Sequence, residues 1–246
     1  MSADGDLIMK QHEAVISTLE KLGGQATLAE LYQHVMEIRD CEWITKTPFA
    51  SIRRIVQLRP EIFKVRPGLW ALRSYQKKLG LEEQDKTEGA KADSHYYYQG
   101  MLAIIGNLRG YKTFMPNQDK NRLFVNQPLR LVRSLNDIPQ FSYKNIVARS
   151  QTVDVIWFNE RQMPHTFFEV EHSTDIQNSL LKFYDLQDLY SQMVIVANKK
   201  RDREFDGKVS FGAFQSIKGR VKFLSYDMLV KQYEYEILRT SQTFSI

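Results

Sequence analysis

At 246 residues, 43% of them hydrophobic and 12% aromatic, the chain has enough apolar material for two modest domains with cores of their own. No apolar run approaches the roughly 20 residues of a membrane span. The opening Met1-Ser-Ala-Asp-Gly-Asp6 is acidic where a signal peptide is basic, and the one cysteine, Cys41, leaves no disulfide framework and no thiolate zinc site. A soluble cytoplasmic protein without a membrane partner is the expectation. The formal net charge of +5 hides an asymmetry, because the stretch from Trp43 to Gly80 holds nine basic residues against the single acid Glu61, a local +8. Such a block suits a reader of phosphate backbone, or equally a solvated helical face.

In chain order, Gln11 to Lys21 predicts a first helix stopped by Leu22-Gly-Gly24, since glycine supplies the left-handed conformation that ends helices. Thr27 with Glu30 makes a capping box for a second helix carrying Leu28, Leu31, Tyr32, Val35 and Ile38 at helical spacing. Thr47-Pro48 starts a third helix running to about Leu58, with proline at the first helical position. Ile62-Phe-Lys-Val-Arg66 and Leu69-Trp-Ala-Leu72 read as two strands joined by a Pro67-Gly68 turn. Three helices and a two-stranded wing over Gln11 to Leu72 resemble a winged helix-turn-helix domain. The strings Thr47-Pro-Phe-Ala-Ser-Ile-Arg-Arg54 and Phe63-Lys-Val-Arg-Pro-Gly-Leu-Trp-Ala-Leu72 are similar to its HARE-HTH variety, a family associated with DNA-linked proteins that include restriction enzymes. The resemblance implies that the third helix is the recognition helix, with Ser51, Arg53, Arg54 and Gln57 approaching DNA and Lys64 and Arg66 on the wing. Winged helices also serve as protein-docking modules, and that alternative stays open here.

Residues 1–75 are assigned to this domain, and 76–93, dense in Lys, Glu, Asp and Gly, to a charged linker. The remaining domain, 94–246, opens with an amphipathic helix from His95 to about Arg109, followed by a strand at Tyr111 to Met115. Leu129 to Asn136 and Phe141 to Val147 read as peripheral strand or loop. Val153-Asp-Val-Ile-Trp-Phe158 and His165-Thr-Phe-Phe-Glu-Val-Glu-His172 are two strands joined by a short polar connection. A helix from Thr174 to about Tyr190, with Ile176, Leu180, Phe183 and Leu186 or Leu189 inward, precedes a buried strand Met193 to Ala197. A strand Val221 to Leu224 and a helix Asp227 to about Leu238 close the chain.

Acids stand where hydrophobes are expected on the adjoining pair of strands. Side chains alternate along a strand, so Glu169 and Glu171 share a face, and pairing of the two strands lets Asp154 join them. Carboxylates converging on a sheet built from Phe, Val, Ile and Trp need cationic compensation, and hard oxygen donors favour Mg²⁺ or Mn²⁺. Solvated carboxylates on a surface-facing strand are the bland alternative. His172 points away from the acid face and reads as structural; Ser173 lies on that face without a His or Asp at nucleophile-activating spacing. Phosphate-cradling glycine motifs are absent, which argues against ATP-driven activity.

Asp154, a gap of 15 positions and Glu169-x-Glu171, set in this element order, resemble the PD-(D/E)xK nuclease superfamily. The fold class expected is therefore α/β: a winged helix-turn-helix joined by a charged linker to a restriction-endonuclease-like mixed sheet flanked by helices. The resemblance implies that Asp154, Glu169 and the Val170 carbonyl hold Mg²⁺, with Mn²⁺ as a substitute, and that Asp154, Glu169 and Glu171 are catalytic. Glu171 stands where the motif has lysine, a departure shared by some active restriction endonucleases of the superfamily. Lys182 on the next helix is a candidate displaced lysine, although an exposed helix residue is its stronger reading, and Gln99 occupies a region where the family often has another acid. The implied function is Mg²⁺-dependent endonucleolytic hydrolysis of double-stranded DNA by a type II restriction or genome-defence enzyme, with a homodimer as one expected assembly. The alternative is a non-catalytic DNA-binding regulator with a degenerate nuclease-like domain.

Overall fold

The computed structural model describes residues 9–43, 45–81 and 88–242. The chain divides into two units, one of Met1–Gln84 with Ile237–Ile246 and one of Asp85–Glu236.

The first unit contains helix α1 (Gln11–Lys21), strand β1 (Gln25–Thr27), helices α2 (Leu28–His34) and α3 (Pro48–Leu58), and strands β2 (Ile62–Arg66) and β3 (Leu69–Leu72). The strands form an antiparallel sheet in the order β1-β3-β2. The capping box closes as its spacing requires: the Glu30 N–H donates to Thr27 Oγ1 (3.1 Å) and the Thr27 N–H to the Glu30 carboxylate (2.7 Å). Gly24 is held at φ +93°, where a side chain would also run into the ring of Tyr75. Val15, Leu19, Leu31, Ile52, Val56 and Leu72 build the core of this unit. Two details differ from the sequence reading. Strand β1 is too short to show a period, and α2 stops at His34, passing into a 3₁₀ turn at Val35–Glu37 that leaves Ile38 extended.

In the second unit come helix α4 (Glu88–Leu108), strand β4 (Lys112–Phe114), the small hairpin β5 (Leu123–Phe124) and β6 (Gln127–Pro128), helix α5 (Lys144–Ser150), strands β7 (Val155–Phe158) and β8 (Pro164–Glu171), helix α6 (Ile176–Asp185), strand β9 (Gln192–Ala197), helix α7 (Asp202–Val209), strand β10 (Val221–Ser225) and, up to Glu236, helix α8 (Tyr226–Gln242). The main sheet is mixed, in the order β10-β9-β8-β7-β4, with β8, β9 and β10 parallel and β7 and β4 antiparallel to their neighbours. Helices cover both faces. Trp157 turns toward α4 and donates its indole N–H to the Leu102 carbonyl (3.0 Å), whereas Ile156, Phe158 and Phe167 pack with Ile176, Leu180 and Phe183 of α6. Gly106 permits the first contact, since a Cβ there would lie 2.6 Å from the Trp157 indole nitrogen.

The segment Phe141 to Val147, read as strand or loop, enters α5; Leu129–Leu131 is a 3₁₀ turn; α6 is shorter at both ends than its expected span; and α7 went unforeseen. Helix α4 begins at Glu88, inside the stretch read as linker, and residues 82–87 of that stretch lie outside the described residues. Among the described residues no helix is long and apolar enough to cross a membrane.

Candidate active site

Strand pairing assembles the acids. Val155 stands opposite Phe168, so Asp154, one residue before β7, reaches β8 and accepts the Val170 N–H at Oδ2 (2.7 Å). Glu169 and Glu171 leave the same face of β8 toward α6 and are 3% and 4% exposed, which excludes a solvated surface strand. The pocket between them and the ends of α4 and α6 has a volume of about 480 Å³.

Helix α6 answers the carboxylates. Lys182 Nζ lies 2.8 and 3.0 Å from the two Glu169 oxygens and also donates to the Thr152 carbonyl (3.0 Å). This overturns its reading as a simple exposed helix residue. Ser179 Oγ is within hydrogen-bond reach of both Glu169 (3.0 Å) and Glu171, and Thr174 Oγ1 donates to the other Glu171 oxygen. A hydroxyl carries one proton, so Ser179 donates to one carboxylate at a time. Burial and then the nearby Asp154 charge push the Glu169 carboxyl up to about 8, against the pull of Lys182 and Ser179. Burial and the neighbouring carboxylate therefore favour a protonated Glu169 more than Lys182 and Ser179 favour an ionised one.

Across the pocket, His95 of α4 sets Nδ1 3.0 Å from the Val170 carbonyl and Nε2 3.5 Å from Asp154. Burial alone would depress this imidazole, but the hydrogen bond and charge of Asp154 outweigh it and raise its pKa. Gln99, fully buried one turn on, sets Nε2 3.0 Å from His95 Nε2 and donates toward Asp119 (3.4 Å), while its Oε1 has no partner among the described residues. Burial raises the Asp119 carboxyl as well. His172 joins the pocket wall, its ring parallel to that of Tyr226, whose hydroxyl donates to the Glu171 carbonyl (3.0 Å).

The structure thus gathers Asp154, Glu169, Val170, Glu171 and Lys182 in one place, with Gln99 behind His95. His95, Asp119, Thr174 and Ser179 escaped the sequence reading, although His95 with Gln99 and Ser179 with Lys182 are polar pairs at helical i,i+4 and i,i+3 spacing. Among the described residues no group of three or more His, Cys, Asp or Glu side chains is gathered to hold a metal ion. The donors that the motif would use are two carboxylates, Asp154 and Glu169, and the Val170 carbonyl. That set fits Mg²⁺, which keeps several waters and takes only one or two carboxylates from a protein.

Of the residues expected to meet DNA, Ser51, Arg53, Arg54 and Gln57 lie on α3 and Lys64 and Arg66 on β2. Arg53, Arg54, Gln57 and Lys64 are exposed; Ser51 and Arg66 are half-buried. Arg53 Nε donates to the Tyr32 hydroxyl (3.3 Å), and Ser51 Oγ lies 3.5 Å from Thr45 Oγ1.

A mixed-sheet unit with buried acids on adjoining strands now meets its relatives. The family model for the C-terminal domain of the type II restriction enzyme NmeDI matches residues 77–243, and the chain belongs to that family. The type II restriction enzyme NmeDI of Neisseria meningitidis serogroup C is 27% identical over 125 residues, covering 45% of this chain and 35% of that enzyme's length. The chain therefore aligns with little more than a third of that relative. No solved structure matches it.

Proposed function

We propose that the chain is a Mg²⁺-dependent restriction endonuclease of the PD-(D/E)xK type, hydrolysing phosphodiester bonds of double-stranded DNA in the cytoplasm as a type II or other genome-defence enzyme. The observation that carries the reading is the half-buried Asp154, at the start of β7, beside the buried Glu169 of β8, with Lys182 reaching both oxygens of Glu169, inside the region that matches a restriction-enzyme family.

Asp154, Glu169 and the Val170 carbonyl are the groups that would hold the ion, with Mn²⁺ as a substitute. When bound, the ion supplies positive charge against the scissile phosphate and makes water a nucleophile near neutral pH. The chain's own groups do the remaining work. Lys182, which donates to both oxygens of Glu169, is the cation that would stand nearest the attacking water and the phosphate. In this reading it fills the place that Glu171 leaves empty in the motif. Glu171, fixed by Thr174 and Ser179, is the candidate acceptor for the water's proton. His95 and Gln99 keep Asp154 and the Val170 backbone in register.

The first unit is the proposed DNA reader, a HARE-like winged helix with α3 as recognition helix and β2–β3 as wing, and residues 76–93 join it to the nuclease domain. Cutting both strands takes two pockets, and a homodimer is the proposed way to supply them. The rival, a regulator with a dead nuclease domain, drew its support from Glu171 in the lysine position; Lys182 beside Glu169 supports the active reading instead.

A plasmid-cleavage assay with Mg²⁺ decides. Wild-type protein is expected to cut and to stop in EDTA, and Asp154→Ala and Glu169→Ala are expected to bind DNA without cutting. Cleavage by either variant, or by wild type in chelator, sinks the metal-site assignment. No cleavage by wild type in Mg²⁺ or Mn²⁺ hands the case to the regulator.

A further inference from the structure

At the carboxyl end of β9, Ala197 stands beside Glu171, so the residues that follow it run alongside the pocket-lining segment His172–Thr174. These residues form the basic turn Asn198-Lys-Lys-Arg-Asp-Arg203, a 3₁₀ turn leading into α7. Its backbone is fixed from two sides. The Asn198 side chain accepts the Lys200 N–H (3.0 Å), and the Arg201 guanidinium is clamped between Glu204 (2.8 Å from both Nε and Nη2) and the Thr174 carbonyl (2.6 Å). Arg201 is thereby consumed in fastening the turn to the pocket rim.

Other cations that meet α6 or its N-cap are engaged as well: Lys182 by Glu169, Lys208 by Asp175 and Gln177, Arg149 by Asp185. Lys199, Lys200 and Arg203 differ. All three are exposed, and their side chains have no polar partner among the described residues, with Asp202 the one exposed acid between them. A backbone fastened through Arg201 to Thr174 of the pocket lining and presenting unspent cations suits a polyanion, because the carboxylates would otherwise repel its phosphates.

We infer that Lys199, Lys200 and Arg203 form a phosphate grip of the catalytic unit itself, binding the DNA backbone beside the scissile phosphate independently of the first unit. The inference rests on the nuclease reading. It divides binding between a reader of sequence and a sequence-blind grip that holds the strand over Asp154 and Glu169.

The test uses the full chain in EDTA, with anisotropy of a labelled DNA duplex followed across a series of KCl concentrations. Each lost phosphate contact removes about 0.9 from the slope of log affinity against log salt. The combined Lys199→Gln, Lys200→Gln, Arg203→Gln variant is therefore expected to lose about 2 to 3 from that slope, with unchanged thermal unfolding. Should the triple variant fail to fold, Lys199→Gln and Lys200→Gln singly are each expected to lose about 0.9. Lys199→Arg with Lys200→Arg is expected to keep the wild-type slope. Salt-sensitive binding by wild type with an unchanged slope in the glutamine variants overturns the grip alone. Loss confined to single-stranded RNA overturns it in favour of an RNA contact. Wild-type protein that shows no salt-sensitive DNA binding overturns the nuclease reading and the grip with it.

Discussion

Glu169 is the residue on which the pocket turns. It is buried, close to Asp154, and countered by a single lysine, so its proton is held to about pH 8. The sign of the stability effect follows from that elevation. A carboxyl whose folded pKa lies above its unfolded value contributes stability that is fully present below the unfolded pKa and is lost as pH rises through the folded one. In EDTA, the urea midpoint of the wild type is expected to fall between about pH 5 and pH 8. Glu169→Gln, which has no proton to lose, is expected to flatten that fall. A wild-type midpoint that holds level across this window would contradict the elevated carboxyl. Lys182 is the second test at this scale. Removing one preorganised charge from a reaction site costs about 10²–10³ in kcat, and Lys182→Ala is expected to lose that much in cleavage with DNA affinity nearly unchanged. Turnover equal to wild type would return Lys182 to the status of a surface residue.

Among the elements, close approach of α4 to the sheet depends on a missing side chain. A Cβ at Gly106 would lie 2.6 Å from both the Trp157 indole nitrogen and the Thr113 methyl. Overpacking of this kind costs about 1–3 kcal/mol, more than the roughly 1 kcal/mol that alanine gains over glycine in a helix. Gly106→Ala is therefore expected to lower the urea midpoint; an unchanged or raised midpoint would mean that the helix shifts freely. Elements with strong periods were legible from sequence: α1, α3, β2, β3, β8 and β9 lie where the apolar spacing puts them. Weakly patterned ones were not. Helix α7 offers Phe205 and Val209 as its buried residues amid charges, and α5 is seven residues long with few apolar positions. In the site, the acids were legible because they interrupt apolar strands. Ser179 was not, and Lys182 was named only as a candidate displaced lysine, because alternation along β8 says nothing of which helix face will meet it.

At the scale of the molecule, charge is unevenly spread, with the +8 stretch of Trp43 to Gly80 falling on α3, β2, the turns beside them and the segment that follows β3. If α3 reads DNA, Arg53→Ala with Arg54→Ala in the full chain is expected to weaken duplex binding by about 1–3 kcal/mol per lost base contact, or to flatten the salt slope by about 0.9 per lost phosphate contact. Unchanged affinity and slope would mark the first unit as a protein-docking module.

The parallel run of β8, β9 and β10 carries one more consequence, and it concerns the order of events in time. Parallel neighbours cannot pair through a tight hairpin; each needs a crossover, here through α6 and then through α7. Pairings between residues far apart along the chain form late, because loop closure precedes any reward in contacts. The antiparallel β7–β8 pair, separated by a short connection, is therefore expected to bring Asp154 beside Glu169 early. Lys182 rides on the crossover and reaches Glu169 only when that crossover docks. The acids are thus expected to come together before their counter-charge arrives, and refolding followed by hydrogen exchange is expected to protect β7–β8 before α6; simultaneous protection of both would contradict this order.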